Sequence, residues 1–108
     1  MTVWFVSRHP GAVEWARAQA LVVDRWVPHL EPQDVQPGDV VAGTLPVHMA
    51  AVICAKGARY LHLSLSLPPA WRGRELSKTE LEQAGARLDE FSIAEQPGPA
   101  RPRSSASG

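Results

Sequence analysis

"DVVAGTLPVHMAAVICAKGARYLHLSLSL", Asp39 to Leu67, decides the fold. Asp39–Gly43 is a short apolar run that predicts a buried strand. Thr44-Leu45-Pro46 then reads as a helix start, with Thr44 as an N-cap candidate and proline just inside. Val47, Ala50, Ala51 and Cys54 recur at i, i+3, i+4 and i+7, the spacing of one helical face. Lys56 suits the end of that helix, and Gly57 suits its stop. Tyr60–Leu67 alternates strictly. It predicts a strand with Leu61, Leu63, Leu65 and Leu67 on one face and a polar face of Tyr60, His62, Ser64 and Ser66.

The same grammar extends in both directions. Thr2–Val6, rich in β-branched and aromatic residues, predicts a first strand. Pro10 fits a helix's first turn, and Ala12, Trp15, Ala16 and Ala20 continue at helical spacing. Leu21–Val27 predicts a second strand, followed by a loop punctuated by Pro28, Pro32, Pro37 and Gly38. Beyond Pro68-Pro69, Trp71-Arg72-Gly73-Arg74 reads as a connection. Ser77 with Glu80 forms a capping-box pattern. Leu81, Ala84 and Leu88 predict a helix from there, with Gly85 a weak point inside it. Phe91–Ile93 predicts a last short strand. Residues 1–93 thus read as one α/β domain: a small Rossmann-like, three-layer sandwich with a mostly parallel sheet. Residues 94–108, dominated by Pro, Ser, Gly, Ala and Arg, read as a disordered tail.

Composition narrows the function. The 108 residues carry 11 basic and 11 acidic side chains, so net charge is zero. General nucleic-acid binders carry a basic excess, which argues against DNA coating while leaving room for a local basic pocket. A single cysteine, Cys54, forbids an intrachain disulfide and suits a reducing cytoplasm. No apolar run approaches the ~20 residues of a membrane span. The four histidines, His9, His29, His48 and His62, lack metal-ligand spacing, so neither a metal nor another cofactor is expected. P-loop, GxGxxG and GxSxG patterns are absent.

In a parallel α/β sheet, ligands bind beyond the carboxyl ends of the strands. Two strand-to-helix turns fall there: Ser7-Arg8-His9-Pro10-Gly11 and Gly43-Thr44-Leu45-Pro46, with His48 in the helix that follows. Ser7 to His9 have two readings, a solvated turn or an anion site. In the second, Arg8 grips a phosphate bidentately, His9 donates to an anion or moves a proton, and Ser7 orients an oxygen. Arg72 and Arg74 are a solvated loop or a cover for an anionic ligand. Trp71 packs or stacks on a base. Strand-Arg-His also opens the histidine phosphatases, but Pro10 stands where those have glycine.

The stretches "FVSRHPGAVEWA", "QPGDVVAGTLPVHMAAVICAKGARYLHLSLSLP", "RGRELS" and "GARLDEF" resemble the small type III CRISPR-associated accessory proteins regarded as ring nucleases, of the Csx-sixteen type. Together they cover most of residues 2 to 91. His48 departs from the pattern, which has asparagine there. The resemblance implies a CARF-like fold, a homodimer and cleavage of cyclic oligoadenylate, above all the tetra-adenylate ring. The lack of metal-ligand spacing leads us to expect metal-independent cleavage, by internal attack of a ribose 2′-hydroxyl. The expected catalytic residues are Arg8, His9 and Ser7. The expected ligand-binding positions are Pro10, Gly11, Gly43, Thr44, Leu45, Pro46 and His48. Two other functions compete: a binder that sequesters the messenger without cutting it, and a dimerisation module built on the Leu61–Leu67 strand.

Overall fold

The computed structural model describes residues 1–97. Strands β1 (Val3–Val6), β2 (Arg25–Val27), β3 (Val40–Gly43), β4 (Arg59–Ser64) and β5 (Arg87–Phe91) alternate with helices α1 (Pro10–Arg17), α2 (Val47–Ala55) and α3 (Lys78–Gln83). They form one sheet of order β2-β1-β3-β4-β5. β2, β1, β3 and β4 run parallel, and β5 is an antiparallel edge. The expected Rossmann-like α/β sandwich is present. The proposed tail beyond residue 97 lies outside the described residues.

Every residue of β1 (VWFV) and β3 (VVAG) is buried. This is the pattern of central strands covered on both faces. Trp4, Val6, Val41 and Tyr60 pack with Ala50 and Ile53 of α2. Phe5, Ala42, Leu61 and Leu63 turn the other way, against Ala12, Trp15 and Ala16 of α1 and Leu81 of α3. The period of two along each strand therefore builds two separate cores.

Several boundaries differ from the sequence-based expectation, each for a local reason. β2 is three residues rather than seven. The Asp24 amide donates to the Val3 carbonyl at 2.8 Å and the Asp24 carboxylate accepts from the Val3 amide at 2.8 Å, so a side chain takes over the ladder at its start. Thr44 caps nothing, because α2 starts after Pro46 and lacks a side-chain cap. β4 stops at Ser64. Its supposedly polar face lies under α2, and Tyr60 there is 1% exposed. The Ser77–Glu80 capping box forms with both hydrogen bonds. However, α3 ends at Gln83, because Gly85 takes the left-handed φ of 75° that stops a helix. Leu88 and Phe91 consequently lie in β5, which begins earlier than Phe91–Ile93 suggested.

Asp39 anchors the amino-terminal edge of the sheet. Its buried carboxylate accepts from the amides of Thr2 and Gln36, both at 2.9 Å, and from the Trp4 indole at 3.3 Å. Burial pushes this carboxyl's pKa up, but the donors at Gln36, Thr2 and Trp4 together outweigh it and hold the pKa below the ordinary 3.8. A carboxyl depressed in the folded state stabilises the fold above its unfolded pKa and loses that contribution as pH falls through the folded one. Asp39→Asn puts an amide donor where only acceptors are wanted. It is expected to cost about 1–3 kcal/mol at neutral pH. Urea denaturation of both proteins checks this, and the gap between them should narrow below about pH 4.

Candidate functional site

The chain leaves β1 for β2 on one side and returns to β3 on the other. Such a reversal opens a crevice at the carboxyl ends of the two central strands. Both predicted turns meet there. Ser7, Arg8 and His9 form one wall, Thr44, Leu45 and Pro46 a second, and Pro28 to Glu31 a third, around a cleft of about 550 Å³. Val6, Leu30, Met49 and Leu63 supply apolar lining. The turn Ser7–His9 also borders a second depression of about 470 Å³, walled by Pro10, Val13, Phe5 and Trp26. Arg8 and His9 thus line both hollows.

The first wall is stiffened through its backbone. The Ser7 amide continues the sheet by donating to the Val27 carbonyl at 3.1 Å. The Ser7 hydroxyl accepts from the His9 amide at 3.1 Å. Ser7 is therefore half-buried and holds the turn, with its own O–H left to donate. His9 has extended backbone angles as the residue before α1, and its carbonyl accepts from Ala12 and Val13. Arg8 is exposed and has no ion-pair partner among the described residues. Neither α1 nor α2 has a side-chain cap, and both put a positive dipole end at this edge, although the Ala12 and Val13 amides are taken by the His9 carbonyl and the Met49 and Ala50 amides by the Pro46 carbonyl.

The second wall hangs from a buried phenol. Tyr60 Oη accepts from the Leu45 amide at 2.9 Å and lies 2.7 Å from His62 Nδ1. The Gly43 carbonyl is more distant, at 3.5 Å. Burial pushes the Tyr60 phenol's pKa up, with Cys54 adding to the rise and the Leu45 amide opposing it. The phenol stays neutral and serves as a peg.

The predicted residues divide accordingly. Ser7, Arg8, His9, Thr44 and Pro46 border the cleft, and Pro10 borders the neighbouring hollow. Leu45 lines the cleft too, but its side chain is core and its amide is taken by Tyr60. Gly11 is buried near the α1–α3 contact, where a Cβ would clash with the Leu76 carbonyl oxygen. Gly43 allows β3 to approach β1. Packing accounts for glycine at both positions. His48 is exposed on α2 and does not border either hollow. Arg74 is engaged with Glu80 at 2.6 Å and stacks over Trp71 at 5.2 Å, which leaves neither poised over the cleft.

Sequence reasoning missed His29, Glu31 and Glu75. His29 and Glu31 follow β2 and line the third wall. The rule that ligands sit beyond strand carboxyl ends applies to β2 as well and would have found them. Glu75 lies 2.7 Å from His9 Nδ1, a pairing across 66 residues that no local pattern announces. With Arg8, His9 and His29 around apolar walls, the cleft is suited to a phosphate-bearing ligand.

Tyr60→Phe tests the peg. It leaves the buried Leu45 amide without a partner and is expected to cost about 1–3 kcal/mol. Chemical denaturation gives the loss, and amide exchange at Leu45 should accelerate more than at Val41 in the same sheet.

No curated protein and no solved structure matches the chain. Among the described residues, no helix is long and apolar enough to cross a membrane. A family model described as "Putative CRISPR-associated protein (Cas_VVA1548)" matches residues 4–94, nearly all of the folded region. The chain belongs to this CRISPR-associated family.

Proposed function

We propose that the protein is a ring nuclease that binds cyclic oligoadenylate, most fittingly the tetra-adenylate, and opens it, ending a signal of the CRISPR response. One observation carries this reading. The unpaired guanidinium of Arg8 and the imidazole of His9 border the same cleft as the Thr44 turn, at the strand-order reversal of the sheet. CRISPR membership supplies the biological setting. A cyclic tetranucleotide has four phosphates and near two-fold symmetry, which suits two copies of this edge in a homodimer.

The chemistry needs only groups that the chain carries. A ribose 2′-oxygen attacks the adjacent phosphorus, and the P–O5′ bond breaks. The products are a 2′,3′-cyclic phosphate and a 5′-hydroxyl on one linear chain. The proton leaving the 2′-oxygen goes to a base, for which His29 on the facing wall is the available group. The departing 5′-oxygen takes a proton from His9. Arg8 stabilises the charge that builds on the phosphorane oxygens. Ser7 and the two helix dipole ends align the ring for attack.

Labelled cyclic tetra-adenylate, incubated with the protein in EDTA, should yield a linear product ending in cyclic phosphate. Arg8→Ala should lower the single-turnover rate by about 10²- to 10³-fold, the loss typical of one transition-state donor. Tight binding of an intact ring would instead make the protein a sequestering binder. Neither binding nor cleavage would sink both functions.

A further inference from the structure

We infer that Glu75 is a positioning residue for His9, fixing which ring nitrogen faces the ligand. The inference rests on the nuclease reading for its catalytic consequence, but the contact itself does not. His9 Nδ1 and Glu75 Oε2 are 2.7 Å apart. A carboxylate only accepts, so Nδ1 carries the hydrogen. Nε2 is then the nitrogen left for a ligand in the cleft: an acceptor in the neutral ring and a donor in the imidazolium. A ring free to turn would present either nitrogen, whereas the Glu75 contact orients the ring in both protonation states, and in the neutral ring it also selects the tautomer.

Both members of the pair are held from behind. Gly11 touches the Leu76 carbonyl so closely that no side chain fits between them, which brings the segment before α3 against the start of α1. The Ser77 capping box fixes the chain just after Glu75. Just before it, Arg74 is taken by Glu80, which leaves Glu75 for His9. On the other side, the His9 amide is bound to Ser7 Oγ and its carbonyl to Ala12 and Val13. The pair is about two-thirds exposed on both sides, so it adds little to stability. Its cost to function is clear, since a carboxylate beside an anion site repels the anion. Arg8, His29 and Glu31 also border the cleft. Arg74 and Glu75 border an adjoining hollow with His9, and among the described residues Glu75 alone hydrogen-bonds the His9 ring. A carboxylate kept there is hard to explain by ligand binding alone and is explained by orientation of an acid–base group.

Nitrogen-15 NMR of the His9 ring tests the inference without any ligand. In the wild-type protein the neutral ring should be protonated at Nδ1. In Glu75→Ala it should shift toward the mixture seen in free histidine, with Glu75→Gln, which keeps an acceptor, falling between. In single-turnover assays on cyclic tetra-adenylate, Glu75→Ala should slow cleavage roughly ten-fold, a fraction of the 10²–10⁴ given by a general acid. The dissociation constant of the intact ring should be unchanged or tighter. An identical His9 tautomer in wild type and Glu75→Ala overturns the inference, as does an equal loss of affinity and melting temperature, which would make the pair a structural latch. Absence of cleavage by the wild-type protein would overturn the nuclease reading, while the NMR result would still decide the role of Glu75.

Discussion

The carboxyl edge of the sheet depends on how closely β3 lies against β1. A Cβ at Gly43 would clash with the Val6 carbonyl oxygen, and φ there is 126°, so only glycine permits the approach. Because the two strands end level and touching, the turns that follow them diverge from one point. The cleft is the space between them. Tyr60 then fixes one side from beneath, through the Leu45 amide. Gly11 performs the same service on the other side of α1, letting α3 close in and deliver Glu75.

The two ends of the strands divide the electrostatic work. At the amino-terminal edge, charge is buried and satisfied: Asp39 takes three donors, and Asp24 takes the Val3 amide. At the carboxyl edge, charge is exposed and largely unpaired. Arg8 makes no ion pair among the described residues, and two helix starts lack side-chain caps. A small domain has little stability to spare, and leaving polar groups open is tolerable only where water covers them. Elsewhere on the surface charges are paired, as in Arg59–Glu90 and Arg87–Asp89.

Much of this was legible in the residues. The alternation of Leu61 and Leu63 and the Ser77–Glu80 box are local patterns, and local patterns report local structure; the α2 stripe held only at Ala50 and Ala51, since Val47 is 72% exposed and Ile53, outside it, is buried. The parallel sheet followed from their order, and from it came the edge on which Ser7, Arg8, His9 and Thr44 meet. What failed were inferences about surroundings. Tyr60 looked like part of a polar face because an alternating strand shows which residues share a side, not what covers that side. Gly11 and Gly43 looked like ligand positions because a glycine in a turn gives no sign of whether a backbone or a ligand presses on it. Thr44 looked like a cap because its type fits one, although the helix starts later.

The sequence by itself determined the elements, their order and the chemical character of the first turn, since periodicity, turn residues and charge are properties of neighbours along the chain. Only the tertiary structure decided which groups come together: His29 and Arg8 on one cleft, Tyr60 on the Leu45 amide, and Glu75 against His9. Those meetings arise from close packing between segments far apart in sequence, set by glycines too small to announce what will be pressed against them.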